Sequence, residues 1–397
     1  MPPVERHPLD LMLVCGEPSG DLIGAQLMAG LKAIAGNRVR FSGVGGAAME
    51  AQGLRSLYPL DATAVMGLRE VVPRIPAILG RVREAADFAL STRPDAVVLI
   101  DSPDFTHRIA QRLKRLDPSI RTVNYVAPQV WASRAYRARK MADYFDLVLA
   151  LLPFEAPFFE RYGLRSVFVG HPAIERAAKI RGGAEFRAKY GIASGAPLLA
   201  VLPGSRTNEI RFILPVFREA VAQTSRAVPG IVCALATVPH VAGRVRAATR
   251  EWPTPLHIVE GEADKFACFD AVDVALAASG TVTTELALAR KPMVVGYRAG
   301  WLTYLLALPL MNVRYITLVN ILLDREAAPE FLQARCTPSN LAHAVTNLFL
   351  DGAARARQIA DLDEATRLLG LGGEAPSLRA ARAILDFVGA QRSASGT

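Results

Sequence analysis

Short apolar runs alternate with longer helical segments along most of the chain, and this alternation most constrains the fold. Ala96–Ile100 is an apolar run without polar residues, which is typical of a strand buried on both faces. Between Ile23 and Ile34 apolar residues instead recur with the period of a helix. The alternation predicts parallel βαβ units. We expect strands at Leu11–Val14, Arg40–Val44, Ala96–Ile100, Thr122–Val126, Leu147–Leu151, Val167–Val169, Leu198–Leu202, Ile231–Leu235, Leu256–Val259, Val272–Leu276 and Pro292–Val295.

The alternation of predicted strands and helices is interrupted near Gly170-His171-Pro172 and resumes at Pro197. The sequence therefore predicts an α/β protein of two Rossmann-like, doubly wound domains facing a cleft, with ligands beyond the carboxyl ends of the strands. We expect an N-terminal domain over 1–170 and a C-terminal domain over 171–370. The remainder, 371–397, is expected to be a helix followed by a loose tail. Spacing leaves open whether this helix packs back on the N-terminal domain.

The net charge is +9, which suits an anionic partner such as a nucleotide phosphate, a phosphorylated lipid or an acidic membrane surface. Nucleic acid is not indicated, because the basic residues are scattered and no nucleic-acid-binding motif accompanies them. Their densest cluster fits a solvated helix face equally well. It comprises Arg134, Arg137, Arg139 and Lys140.

Cysteine usage and apolar runs indicate a cytoplasmic protein. The four cysteines are far apart and form no C-x-x-C pair, so neither a disulfide framework nor a zinc site is expected. Leu11–Val14 is too short for the apolar core of a signal peptide. Trp301–Met311 falls short of the ~20 apolar residues that span a bilayer. We expect a protein that touches a membrane without crossing it.

Two loops of the second half have the form of phosphate-binding turns. Gly204, Ser205 and Arg206 follow a buried strand and lead into a helix. Glycine allows close backbone approach, the start of the helix offers free N–H groups, and arginine adds a bidentate charge. An ordinary turn with a surface arginine is the alternative, and the second loop favours the phosphate interpretation.

The second loop, Ser279-Gly280-Thr281, again follows a strand and opens a helix, with Glu285 one turn further on. Its N–H and hydroxyl groups suit a diphosphate, and the carboxylate of Glu285 suits ribose hydroxyls. Stabilisation of Glu285 by the helix dipole is the alternative. The two loops together predict a nucleotide site in the second half.

In the first half, Asp101 ends the strand Ala96–Ile100. A carboxylate at the carboxyl end of a strand is placed to take a proton from an attacking hydroxyl. A turn aspartate bonded to the backbone is an equal alternative for Asp101, and the favoured interpretation for Asp104.

The loop 16–21 brings Glu17, Ser19 and Asp21 to the same sheet edge, as candidate ligands of an acceptor. Its glycine spacing is not G-x-G-x-x-G, so no redox cofactor is indicated. The six histidines are dispersed, so no metal site is indicated either.

An apolar stretch lies beside several arginines between 66 and 83, with a helix expected from about Pro73. This pairing suits the headgroup region of an anionic membrane, although the periodicity alone favours an ordinary core-facing helix. The candidate membrane-facing residues are Met66, Leu68, Val72, Ile75 and Leu79.

Taken together, these motifs resemble the lipid-A-disaccharide synthase family over nearly the whole chain. The matching segments are 16–21 (G-E-P-S-G-D), 65–67 (V-M-G), 100–105 (I-D-S-P-D-F), 125–128 (Y-V-A-P), 170–172 (G-H-P), 202–206 (L-P-G-S-R), 278–281 (A-S-G-T) with Glu285, and 293–298 (M-V-V-G-Y-R). Singly several are generic, but their order and spacing are specific.

The resemblance implies a GT-B fold and a metal-independent, inverting glycosyl transfer in lipid A and lipopolysaccharide biosynthesis. The donor would be UDP-2,3-diacylglucosamine and the acceptor 2,3-diacylglucosamine 1-phosphate. It also implies a peripheral protein of the cytoplasmic face of the inner membrane. Some members of the family form homodimers by exchanging C-terminal elements, and a homodimer stays open here.

The resemblance carries roles over to four residues. Asp101 matches the proposed base for the 6-hydroxyl of the acceptor, and Arg206 the arginine that stabilises the departing diphosphate. Glu285 matches the ribose ligand, and Asn320 an asparagine that holds the donor.

Three positions depart from the family pattern. Ser133 stands where the family has the second tryptophan of W-A-W-R, Val319 replaces a proline, and Asp324 replaces a glycine. These differences concern the fit of donor and acyl chains.

Two alternatives to a transferase remain. One is a UDP-sugar 2-epimerase with the same nucleotide loops, and the other is a non-catalytic lipid or nucleotide carrier, which would not need Asp101.

Overall fold

The computed structural model describes residues 8–60, 68–132, 136–298, 300 and 314–394, with the backbone alone for 68–75 and 391–394. The chain forms two compact units. The first unit consists of Met1–Pro172 and Gly372–Thr397, and the second of Ala173–Leu371.

The first unit holds a parallel six-stranded sheet with the order β2-β1-β3-β4-β5-β6. Its strands are β1 Leu9–Cys15, β2 Val39–Val44, β3 Ala96–Ile100, β4 Thr122–Tyr125, β5 Leu147–Ala150 and β6 Ser166–Phe168. Its helices are α1 Pro18–Ala35, α2 Ala47–Ala51, α3 Leu68–Thr92, α4 Pro103–Leu116, α5 Tyr136–Met141, α6 Glu155–Glu160 and, from the end of the chain, α16 Pro376–Ala394.

Both faces of this sheet are buried. Along β1, Leu11 and Leu13 belong to one apolar cluster, whereas Met12 and Val14 belong to another. The alternation follows from the two-residue period of a strand, and apolar residues on both sides explain the unbroken runs in the sequence. Helix α16 packs on α1, where a Cβ at Gly30 would lie 2.7 Å from the carbonyl oxygen of Ser377.

The second unit repeats the plan with a parallel sheet of order β12-β11-β10-β7-β8-β9. Its strands are β7 Leu198–Leu202, β8 Val232–Thr237, β9 Leu256–Glu260, β10 Val274–Ala277, β11 Met293–Tyr297 and β12 Glu330–Leu332. Its helices are α7 Ala173–Arg176, α8 Gly183–Lys189, α9 Thr207–Ala227, α10 Pro239–Ala248, α11 Glu262–Ala271, α12 Thr281–Leu288, α13 Leu318–Leu323, α14 Pro338–Leu350 and α15 Gly352–Leu368.

The predicted fold class of two doubly wound α/β domains is confirmed, and the predicted strands are present with ends displaced by two residues or fewer. The helix expected from about Pro73 begins earlier, at Leu68, so Pro73 lies within it. The prediction of a loop over 16–21 was wrong for residues 18–21, because α1 already begins at Pro18. No helix among the described residues is long and apolar enough to cross a membrane.

Each sheet has one point at which the strand order reverses. In the first unit the reversal lies between β1 and β3, and in the second between β7 and β10. The carboxyl ends of these neighbours are in register, with Cys15 beside Ile100 and Ala277 beside Leu202. Loops that leave a sheet on either side of such a point form a crevice that binds ligands in doubly wound folds. The motifs singled out in the sequence follow these four strands.

Candidate functional site

Asp101 lies at the reversal point of the first sheet in an unusual backbone conformation. The φ angles of Asp101 and Ser102 are 54° and 45°, in the left-handed region that side chains other than glycine rarely adopt. Two contacts hold this turn: the N–H of Asp101 donates to the carbonyl of Tyr125 (2.9 Å), and the hydroxyl of Thr106 donates to the carbonyl of Asp101 (2.6 Å). Strain of this kind is maintained at functional sites, where it aims a side chain.

The loop after β1 packs directly against this turn. A Cβ at Gly16 would lie 2.8 Å from Cβ of Ser102, and a Cβ at Gly20 would lie 2.9 Å from Cβ of Cys15. Both positions therefore require glycine. The close approach allows the hydroxyl of Ser19 to donate to Oδ2 of Asp101 over 3.2 Å. Among the described residues, no group donates to Oδ1 of Asp101, which leaves that oxygen for a substrate.

Asp21 lies two residues after Ser19 in α1 and is buried, with an exposed fraction of 6%. Its carboxylate accepts three hydrogen bonds from the start of α2, from the N–H groups of Gly46 (2.8 Å), Ala48 (3.0 Å) and Met49 (3.0 Å). The sequence placed Asp21 with Glu17 and Ser19 as acceptor ligands. The structure brings Ser19 to Asp101, places Glu17 at the N-cap of α1, and engages Asp21 with the backbone of α2.

A buried carboxylate that the sequence analysis missed follows β5. Both Glu155 oxygens accept hydrogen bonds, from Nε1 of Trp131 (2.9 Å) and from the N–H groups of Leu151 and Leu152 (3.0 Å each). Burial raises the pKa of Glu155 above its usual value, and the three donors oppose that shift only in part. Its position after a strand, like that of Asp101, is the signal that would have found it.

The loop Gly204-Ser205-Arg206 follows β7 and directs N–H groups at an anion, but that anion belongs to the chain itself. Oε2 of Glu209 accepts from the N–H of Ser205 (2.8 Å) and of Arg206 (3.0 Å). Gly204 has a φ of 106°, and a Cβ there would overlap the Glu209 carboxylate. The Arg206 side chain is 73% exposed, with Nη1 3.4 Å from Oε1 of Glu209. A glutamate three residues after an N-cap is the signal for Glu209.

The loop Ser279-Gly280-Thr281 follows β10, on the other side of the same reversal point. Gly280 and Thr281 are exposed, and the hydroxyl of Ser279 donates to the carbonyl of Ile316 over 3.3 Å. Helix α12 begins at Thr281, so its first N–H groups lie in this loop. The two loops predicted to bind phosphate therefore leave adjacent strands at the carboxyl edge of the second sheet.

Glu285 lies within α12 and is buried, with an exposed fraction of 4%. Nζ of Lys265 lies 3.1 Å and 3.0 Å from its two carboxylate oxygens, and Nη1 of Arg176 lies 3.4 Å from one of them. Sequence reasoning missed both cations, since they come from α11 and α7 and only the fold brings them to Glu285. A ribose that binds Glu285 would share the carboxylate with these two groups.

Asn320, the other predicted donor ligand, is fully buried. Its Nδ2 donates to the carbonyl of Ala328 and to Oε1 of Glu330 (2.7 Å each), and its Oδ1 accepts from the N–H of Ala328 (2.8 Å). These contacts tie α13 to the start of β12. Any contribution of Asn320 to donor binding is therefore made through the position of α13.

Some predicted residues fall where the structure describes no side chain. Met66 and Ser133 lie outside the described residues, and for Leu68, Val72 and Ile75 only the backbone of α3 is described. Leu79 is partly buried. Among the described residues, no cluster of three or more histidine, cysteine, aspartate or glutamate side chains is arranged to hold a metal ion.

Comparison with known proteins decides between the families that share this architecture. The family model described as lipid-A-disaccharide synthetase matches residues 11–377. The chain belongs to the lipid-A-disaccharide synthetase family. Lipid-A-disaccharide synthase of Rhodospirillum centenum is 46% identical over 381 residues, covering 96% of this chain and 95% of the relative. That of Paramagnetospirillum magneticum is 46% identical over 380 residues, covering 95% of this chain and 97% of the relative.

A solved structure shows the same fold at low identity. The UDP-GlcNAc 2-epimerase from Neisseria meningitidis, bound to UDP-GlcNAc, has a TM-score of 0.61 and 12% identity, covering 96% of this chain and 99% of that chain. Fold likeness alone therefore does not separate transferases from epimerases. Family membership does, and this member of the lipid-A-disaccharide synthetase family is an enzyme, a hexosyltransferase of lipid A biosynthesis.

Proposed function

We propose that the enzyme transfers the diacylglucosaminyl group of UDP-2,3-diacylglucosamine to the 6-hydroxyl of 2,3-diacylglucosamine 1-phosphate. The products are the β-1,6-linked disaccharide 1-phosphate and UDP, and the anomeric configuration inverts. The observation that carries the proposal is Asp101, held by a strained turn at the reversal point of the first sheet, where one of its carboxylate oxygens accepts no hydrogen bond from the described residues.

In this reaction Asp101 acts as the general base. Its Oδ1 takes the proton of the acceptor 6-hydroxyl as the hydroxyl oxygen forms a bond to the anomeric carbon of the donor. The hydrogen bond from Ser19 to Oδ2 fixes the rotation of the carboxylate about its own axis. The bond between the anomeric carbon and the diphosphate oxygen breaks, and its electron pair leaves with UDP.

The second unit would bind the UDP portion. The N–H groups of the loop 204–206 and the exposed guanidinium of Arg206 suit the β-phosphate, where negative charge develops as the bond breaks. A diphosphate in this loop competes with the Glu209 carboxylate for the same N–H groups. The loop 279–281 and Glu285 would hold the remaining phosphate and the ribose. The UDP-GlcNAc 2-epimerase that shares the fold is bound to UDP-GlcNAc, which supports a UDP-sugar as the donor.

Because the groups above account for proton transfer and for the developing charge, we propose that no metal ion is required. Contact with the inner membrane through the segment 66–79 and assembly into a homodimer also stay predictions. Acylated substrates of this kind reside in a membrane, which is consistent with peripheral association.

The test is a reaction of purified enzyme with both acylated substrates in detergent and EDTA, in which UDP and disaccharide are measured separately. We expect both products in equal amounts, dependent on the acceptor, with β-1,6 linkage by NMR. Release of UDP without acceptor would instead indicate an epimerase-like elimination. Donor binding without any turnover would indicate a carrier.

A further inference from the structure

A cavity of about 340 Å³ lies within the first unit, between α4 and α5. Pro103 and Pro128, which come soon after the carboxyl ends of β3 and β4, line it together with residues of the two helices. Since Pro103 is two residues from Asp101, the cavity lies at the same edge of the sheet as the proposed base.

The cavity is strongly cationic. Arg108, Arg137 and Lys140 line it, against the single carboxylate of Asp104. In the described part of the chain, none of these three cations forms an ion pair, whereas two other basic residues of α4, Arg112 and Lys114, pair with Asp87 and Asp146. Nε of Arg108 donates to the carbonyl of Asp104, and Lys140 lies 5.6 Å from the ring centroid of Tyr136.

A neutral imidazole also belongs to the lining. Nε2 of His107 is buried and has no hydrogen-bond partner among the described residues, while its Nδ1 lies 3.1 Å from the hydroxyl of Tyr144. Burial first, and then the charge of Arg137, lowers the pKa of His107 to about 4, so the imidazole is neutral at pH 7. A neutral imidazole carries one N–H, so one of its two ring nitrogens donates and the other accepts.

We propose that this pocket, formed by His107, Arg108, Arg137 and Lys140, binds the phosphate monoester of the lipid acceptor. The proposal rests on the proposed function. It assigns a binding site to the 1-phosphate of the acceptor, the group at the other end of the sugar from the reacting 6-hydroxyl. A dianionic phosphate monoester offers only acceptor oxygens and carries two negative charges, which matches a pocket lined by three cations that form no ion pair among the described residues. Helix α4 rises about 1.5 Å per residue, so His107 lies roughly 6 Å beyond Pro103 along its axis. This span is on the order of one sugar ring, and Pro103 lies two residues from Asp101, so an acceptor whose 6-hydroxyl reaches Asp101 would extend its 1-phosphate toward the pocket.

The test compares Arg137→Gln and Lys140→Gln with Arg139→Gln. All three residues are exposed on α5 and lose the same charge, but Arg139 does not line the pocket. Initial rates are measured in neutral detergent micelles, with saturating donor and varied acceptor. We expect the acceptor KM to rise about tenfold or more for Arg137→Gln and for Lys140→Gln, with kcat and donor KM within about twofold of the parent. Arg139→Gln should change none of these values. Equal KM changes at Arg137 and Arg139 would overturn the proposal.

An acceptor without the phosphate separates recognition of this group from other effects. The parent should use 2,3-diacylglucosamine poorly, and Arg137→Gln should lower that residual rate no further. The same fold-loss with both acceptors would overturn the assignment. A defect seen only with anionic phosphatidylglycerol vesicles, and absent in neutral micelles, would assign the cations to the membrane surface instead.

A measurement of acceptor binding without turnover tests the phosphate pocket separately from the proposed function. Phosphorus NMR of the micelle-embedded acceptor reports binding without turnover, and broadening of the phosphate signal is expected with the parent and not with Arg137→Gln. If the parent broadens the signal but makes no disaccharide, the proposed function fails while the pocket stands. If Arg137→Gln broadens the signal as strongly as the parent does, the pocket assignment fails.

Discussion

Asp21 is expected to stabilise the fold and not to bind substrate, and mutation of this residue distinguishes the two roles. Its carboxylate accepts three backbone hydrogen bonds at the start of α2, two of them on Oδ1 and one on Oδ2. Each is worth about 1 kcal/mol net, and one N-cap contributes about 0.5–2 kcal/mol. We therefore expect Asp21→Ala to lower the free energy of unfolding by about 3 kcal/mol. Asp21→Asn keeps one carbonyl acceptor for the two bonds on Oδ1, so the loss should be about 1–2 kcal/mol.

The measurement is urea unfolding followed by the fluorescence of Trp131, the tryptophan of the first unit, in a background with Trp252→Phe and Trp301→Phe. This readout isolates one unit of a two-unit chain, in which a single overall transition need not be two-state. Glu50→Gln is the matched control, because Glu50 is an exposed carboxylate on α2 and its change should stay within about 0.5 kcal/mol.

Hydrogen exchange gives a local check, since the amides of Ala48 and Met49 should lose protection in Asp21→Ala. The reasoning is refuted if Asp21→Ala leaves stability and exchange unchanged while the KM for the acceptor rises. That outcome would place Asp21 on the substrate, as the sequence alone suggested.

Three further predictions concern other parts of the molecule. Gly204→Ala should weaken UDP binding about tenfold by calorimetry, because the left-handed backbone costs about 1–2 kcal/mol and the new Cβ overlaps Glu209; an unchanged Kd would contradict the loop assignment. Asn320→Ala should destabilise the second unit by about 3 kcal/mol in urea unfolding through three lost buried hydrogen bonds, and a loss below about 0.5 kcal/mol would refute that role. The raised pKa of Glu155 favours its protonated form in the fold, so stability should fall as pH rises above 4.5 through the folded-state pKa. Fluorescence of Trp131 should report this titration, and Glu155→Gln should abolish it.

Much of the fold is visible in the sequence because strands buried on both faces read as unbroken apolar runs. The missed strand, Glu330–Leu332, has three residues and begins with a buried glutamate, which accepts hydrogen bonds from the N–H groups of Ile316 and Thr317. The early start of α3 was missed because Pro73 favours the first turn of a helix, whereas here the helix begins five residues before it.

The sequence predicted those site residues that directly follow strands, because parallel strands bring their carboxyl ends to one edge of the sheet. Ser19 and Asp101 were placed together on this basis, and the structure shows them 3.2 Å apart. The partners of predicted ligands were not visible, since Lys265 reaches Glu285 only through tertiary packing. Likewise nothing local to Asn320 indicates that all its hydrogen bonds are internal.

The central claim is that the carboxylate of Asp101 takes the proton of the acceptor 6-hydroxyl. The most direct test measures both the turnover of Asp101→Asn and its affinity for UDP. Glu50→Gln is the control, since Glu50 is an exposed carboxylate of the same unit that does not line the phosphate pocket. The account predicts that Asp101→Asn loses about a thousandfold or more in kcat and keeps the parent Kd for UDP, while Glu50→Gln retains kcat within severalfold. Parent-like turnover by Asp101→Asn would contradict the account.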